Sequence, residues 1–301
     1  MPIAPFPHAG EIAALATASC WVVAVMAFES AGRRIGSLSL NLIRLLIALL
    51  LLTVFSAVTR GVPLPLDASP HAWAWLGLSG LVGFTLGDLC LFRAFVVLGG
   101  RLSSLVMALV PLFTTLFGWL VLGEMLTPTD LSGMLLVVCG VAFVVLERTM
   151  DANGARRHVS VRGVLLALGG ALGQALGLVL SKHGMEDYDA FAATQIRVIS
   201  GAAGFAVLFV FIGWWPRALA ALRNRSGLGF AALGACFGPF LGVGLSLVAV
   251  KYTQTGVAAT LMALLPVLII PPSIFIRRER ITPRAVAGAV VAVFGAALLF
   301  V

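Results

Sequence analysis

Charge is scarce in this sequence. Asp, Glu, Lys and Arg together make up 11% of the 301 residues, against roughly 25% in a soluble domain. An ordinary cytosolic enzyme and a disordered chain are both excluded by that deficit. Cysteine is also sparse: Cys20, Cys90, Cys139 and Cys236 each lie inside an apolar run, without CxxC or Cys/His spacing. That pattern excludes a disulfide scaffold and a zinc site and fits small buried thiols. The four histidines, His8, His71, His158 and His183, fall at span ends or in loops and form no catalytic pattern. There is no P-loop, no HExxH and no GxSxG, so neither built-in ATP hydrolysis nor these hydrolytic chemistries is expected. No metal and no cofactor is expected either. The net charge is +8, but no dense basic run interleaves with aromatics, so nucleic acid is not an expected partner. The opening MPIAPFPHAGEI lacks the basic region of a signal peptide, so residues 11–29 read as a retained span.

What the chain has in abundance is apolar sequence: 60% of residues, with mean hydropathy +1.08. A globule of this size cannot hide that much apolar surface from water, and a lipid bilayer becomes the expected surrounding. Apolar runs occur at about 11–30, 38–58, 72–98, 102–123 and 129–147, then at about 161–182, 190–213, 227–250, 255–276 and 283–301. Ten spanning helices are expected. A barrel is not, because runs such as Leu45-Leu46-Ile47-Ala48-Leu49-Leu50-Leu51-Leu52 do not alternate. The most polar stretch, from Glu147 to Arg162, falls mid-chain. It divides the sequence into a first unit, 1–147, a linker, 148–160, and a second unit, 161–301.

The two units repeat. MALVP at 107–111 returns as MALLP at 262–266, and Glu124-x-x-Thr127-Pro128 returns as Glu279-x-x-Thr282-Pro283. Gly133 and Gly140 return as Gly288 and Gly295, and Gly83-x-x-x-Gly87 as Gly238-x-x-x-Gly242, all at one offset of 155 residues. Earlier in each unit the offset is 153, which matches Ile43-Arg44 to Ile196-Arg197. Five spans per unit is an odd number, so the second unit enters the membrane from the opposite side. The expected fold is an all-α membrane protein of two inverted five-helix repeats, with a solute site between them.

Trp21 in the first span, Arg44 in the second, and the block from Pro111 through Gly123-Glu124-x-x-Thr127 to Gly133 and Gly140 resemble the EamA branch of the drug/metabolite transporters. The resemblance covers the whole chain. The second copy departs from it at Arg278, where the first has Gly123. It implies a ten-helix exporter of small metabolites; amino-acid exporters, aromatic ones among them, belong to this branch.

Loop charge gives an orientation. The loops after odd-numbered spans hold fourteen arginines: Arg33, Arg34, Arg101, Arg148, Arg156, Arg157, Arg162, Arg217, Arg223, Arg225, Arg277, Arg278, Arg280 and Arg284. Those after even-numbered spans hold only Arg60, Lys182 and Lys251. The odd loops and the linker are therefore expected in the cytoplasm, with both termini outside the inner membrane.

Ionisable groups within spans are costly and face a partner or a cavity. Asp88 is read either as a structural partner of Arg44 or as a cavity carboxylate that binds solute and takes a proton. Arg93 is read as paired inside or snorkelling. Arg44 and Arg197 are repeat mates, read as gate residues or carboxylate anchors on one view and as interfacial groups on the other. Trp21 and Gln174 occupy equivalent positions at offset 153. An indole face and an amide suit an apolar body with a polar head; the alternative for Trp21 is packing against lipid. Phe84 and Phe92 are supporting candidates, with Phe95 and Trp119. Lys182 and Lys251 suit span ends, although Lys251 follows a glycine-rich span and a solute-facing role stays open. Pro111 and Pro266 interrupt the fourth and ninth spans and are read as hinges or tolerated kinks. The glycine stripes serve close helix packing. The expected function is export of amino acids or related metabolites by alternating access, driven by the solute gradient or by proton exchange. The rival readings are a membrane-embedded enzyme, for which no clustered catalytic set is present, and a non-transporting assembly subunit.

Overall fold

The computed structural model describes residues 6–97, 100–147, 160–272 and 283–300. All but one residue of the linker, together with the segment bearing Arg277, Arg278, Glu279 and Arg280, lies outside the described residues. Those residues hold nine helices long and apolar enough to cross a membrane. They are α1 (Ala9–Ile35), α2 (Ser37–Arg60), α3 (Pro70–Ala94), α4 (Ser103–Leu122), α5 (Pro128–Val145), α6 (Val161–Met185), α7 (Ala190–Phe211), α8 (Arg225–Tyr252) and α9 (Thr255–Pro272). A shorter apolar helix, α10 (Pro283–Leu298), follows. The chain is a multi-pass helical membrane protein. No strand occurs among the described residues.

The helix starts follow local chemistry. Ser69, Ser160, Asp189 and Asn224 each accept a backbone N–H of the first turn of α3, α6, α7 and α8, satisfying donors that lipid could not. The single residue Gly36, at φ 78°, joins α1 to α2, a conformation open to glycine without steric cost. Outward faces are apolar: Leu46, Leu50, Val54 and Val58 form an exposed stripe on α2, and Val286, Val290, Val293 and Phe294 form one on α10. In lipid such a face carries no penalty.

Two irregularities recur. Wide, π-type turns occupy Leu81–Gly87 in α3 and Cys236–Gly242 in α8, 155 residues apart. The helical ladder also breaks at Ala108–Leu109 in α4 and at Ala263–Leu264 in α9, again 155 apart. Pro111 and Pro266 fall just after these breaks, in the first turn of the segments Val110–Phe117 and Leu265–Leu268. A proline there needs no donor, so it opens a new segment rather than bending a continuous one.

Packing is reciprocal. α1 packs on α8 and α9, α6 packs on α3 and α4, α2 on α7, and α5 on α10. Glycines allow the closest approaches. A Cβ at Gly173 would lie 2.8 Å from the Gly87 Cα, and one at Gly177 3.1 Å from the Gly83 Cα. Along the α5/α10 seam a Cβ at Gly140 would lie 2.6 Å from the Gly288 oxygen, and one at Gly295 2.7 Å from the Gly133 oxygen. At that spacing any side chain would collide with backbone.

Candidate functional site

A cavity of about 300 Å³ lies between the two units, lined by residues of α1 to α9. Its walls are mostly apolar, which matches the usual character of small-molecule sites. Trp21 of α1, Phe84 and Asp88 of α3, and Gln174 of α6 all line it. So do Arg44 of α2, Arg197 of α7 and Pro266 of α9. The repeat mates Met107 and Met262 face it together, and Ser104 and Ser246, which are not mates, line it too. The two wide turns bring their own residues to the wall, Phe84 from one and Pro239 from the other. Val141 of α5 also reaches it.

Charge in the cavity is concentrated in three side chains. The Arg44 guanidinium donates to an Asp88 carboxylate oxygen, and both side chains are buried. The Phe28 and Phe92 rings lie 5.3 Å and 5.8 Å from the Arg44 guanidinium carbon. Phe92 therefore lies against Arg44 and does not reach the cavity wall. Arg197 is 6% exposed. Its guanidinium makes no hydrogen bond or ion pair among the described residues; its carbon sits 5.1 Å from the Phe84 ring, and its Nε is buried without a partner. The backbone of Arg197 presses directly on Gly80 of α3, which fixes where the side chain starts.

Other candidates lie elsewhere. Pro111 is buried in α4, outside the cavity lining. Lys251 donates to the carbonyl oxygens of Asp187 and Tyr188 at 2.8 Å and 3.0 Å; its position at the end of α8 lets it hold the α6–α7 loop. Arg93 is exposed. His71 and His183 meet with ring centroids 5.3 Å apart, but no group of metal-ligating side chains forms among the described residues. The four thiols are free. In the same loops, burial pushes the Tyr188 hydroxyl up, and its hydrogen bond to Asp67 pushes the same way.

A second polar cluster joins helix ends. Lys182 Nζ, at the end of α6, donates to Glu124 Oε1 at 2.7 Å and to the Thr253 carbonyl at 2.6 Å. Glu124 Oε2 accepts from the Thr255 backbone N–H at 2.8 Å and from its hydroxyl at 2.6 Å. The Thr253 hydroxyl donates to Glu11 at 2.8 Å. The ends of α4, α6 and α8 and the starts of α1 and α9 are thus tied at one face. In the sequence Glu124 is visible only as part of a repeated motif. A physical signal was nonetheless present: an acid at a helix C-terminus opposes the dipole and needs a partner.

Two stretches, residues 8–146 and 161–301, each match the model of the EamA-like transporter family. The chain belongs to this family. Among relatives of this EamA-like chain, a Bacillus subtilis (strain 168) protein named "Uncharacterized transporter YvbV" is 31% identical over 122 residues, 40% of this chain and 37% of that protein. A second from the same strain, "Uncharacterized transporter YoaV", is 28% identical over 132 residues, 44% of this chain and 45% of its own length. The matched stretches thus span less than half of these curated relatives. A solved structure titled "Crystal structure of protein" superposes with a TM-score of 0.76 at 18% identity, covering 97% of this chain and 96% of that one. That likeness concerns the fold.

Proposed function

We propose that this EamA-like chain is a secondary transporter that exports small metabolites of the amino-acid class, aromatic ones among them, by alternating access. In this reading ten helices form two inverted five-helix repeats, 1–147 and 161–301, joined by a cytoplasmic linker at 148–160. The odd-numbered loops are cytoplasmic and the termini lie outside. The chain is a carrier rather than an enzyme and needs no cofactor. Its partners are a solute and the bilayer.

The observation that carries the reading is the mostly apolar cavity between the units, walled by unlike residues at equivalent positions, Trp21 opposite Gln174 and Phe84 opposite Pro239. A non-transporting assembly subunit has no use for such a space. Trp21, Gln174, Phe84 and the Arg44–Asp88 pair contact or shape the solute. Phe92 acts through Arg44, and Lys251 steadies the loop it holds. The breaks before Pro111 and Pro266 serve as hinges, because a missing ladder bond is where a helix bends at least cost. The Glu124–Lys182–Thr255 cluster closes one face and has to part for that face to open.

The test is uptake of a panel of labelled amino acids into proteoliposomes, normalised to monodisperse protein. Flux above empty vesicles is expected. Trp21→Ala is expected to change the ranking of cargo while the protein stays folded, because a lost aromatic wall weighs most on cargo that stacked there. An unchanged ranking would remove Trp21 from the pocket.

A further inference from the structure

Given the cavity as the solute site, its charge pattern revises the amino-acid part of that reading. Two arginines and one aspartate line it. Arg44 and Asp88 satisfy one another. Arg197 is left over: it is buried, its Nε has no partner, and its guanidinium lies by the Phe84 ring and Gly83 without a hydrogen bond or an ion pair among the described residues. An unpaired cation in a low-dielectric interior is costly. Asp88 acts on it only through space, since its carboxylate is hydrogen-bonded by Arg44 and forms no ion pair with Arg197, and one carboxylate cannot neutralise two guanidiniums. The site becomes electrically complete only when an anion enters.

We propose that Arg197 anchors the carboxylate of a small organic anion whose apolar body lies against Trp21. The cavity prefers carboxylates that lack a free ammonium over the zwitterion of the same shape. A guanidinium presents paired donors that match a carboxylate. For an ammonium the described lining offers side-chain acceptors only on Gln174, Ser104 and Ser246; its one acid is already held. A volume of about 300 Å³ lies at the small end of ligand sites and suits one ring with a short acidic arm. This inference rests on the transporter reading for the site but not for its test.

Binding is measured on the purified full-length chain in detergent, by equilibrium dialysis with three labelled probes that share a phenyl ring. These are 3-phenylpropionate, phenylalanine and phenethylamine. The expected order is anion over zwitterion by about tenfold, with the amine unbound. Arg197→Gln should weaken 3-phenylpropionate by about tenfold or more, and Arg197→Lys should retain part of the affinity because the charge remains. Laurate, the lipid-derived carboxylate, should displace 3-phenylpropionate poorly. Phenylalanine binding as tightly as the anion, phenethylamine binding at all, or laurate displacing the probe as well as unlabelled 3-phenylpropionate does, would overturn the proposal. The ranking on the unaltered chain decides the matter even where Arg197→Gln fails to fold. Anion binding without flux in proteoliposomes would sink the transport reading alone. Phenylalanine flux with no preference for the anion would sink this inference alone.

Discussion

Glu124 and Lys182 carry the contact between helix ends that is most exposed to test at the residue scale. Their side chains are 11% and 16% exposed, so neither keeps a full hydration shell. Removing one partner from such a pair leaves the other uncompensated, at a cost of about 3–5 kcal/mol when fully buried and less here. Lys182→Met should therefore weaken the closed face. In a cysteine-free background, a cysteine at Thr253 should react with an impermeant thiol reagent about tenfold faster when Lys182→Met is added, each ~1.4 kcal/mol shifting the open population tenfold. An unchanged rate would show that the pair does not hold the face shut. The pairing was not legible in the sequence. Glu124 stands 58 residues from Lys182 and 131 from Thr255, and no periodicity links positions at the ends of three separate helices. Arg44 with Asp88 was legible as one of two alternatives, because a lone acid and a lone base inside spans have few other partners.

Among elements, close packing by α5 and α10 was visible as glycines seven apart, which fall on nearly one face of a helix, but not that the two helices meet each other. What the sequence could not show is how close the backbones come. A Cβ at Gly140 would stand 2.5 Å from the Ala292 nitrogen, and no side-chain rotation relieves a clash with backbone. Gly140→Leu is expected to lower the folded yield severalfold and to depress the melting midpoint in detergent, as overpacking does. Gly229→Ala in α8, where nothing lies within 4 Å, should leave both unchanged. Equal behaviour of the two variants would refute the seam as a fixed contact. The wide turns at Leu81–Gly87 and Cys236–Gly242 escaped the sequence reading. Their composition is that of any apolar helix, and only the second holds a proline, Pro239, inside it.

For the molecule as a whole, the repeated motifs divide the sequence into two units, and the family model matches at 8–146 and 161–301. Orientation is a matter for experiment. Cysteines at Asn153 and Asn224, placed in a background without the four native ones, should resist an impermeant thiol reagent applied to intact cells. Labelling of either from outside would reverse the topology. If the repeats are inverted as proposed, the sequence positions equivalent to the Glu124 cluster belong to the opposite face, and they carry different residues. Glu279 stands for Glu124, Glu29 for Lys182 and Gly100 for Thr255. At those positions the sequence keeps neither the base nor the hydroxyl, and Glu29 is paired with Arg33 on its own helix. The contact that ties one face is therefore not repeated in kind at the equivalent positions of the sequence. Under the proposed alternating access, that asymmetry would hold the empty carrier mostly in one pose, like a door with a spring on one side. The solute has to supply the difference in free energy, through what it gains by binding the other pose more tightly.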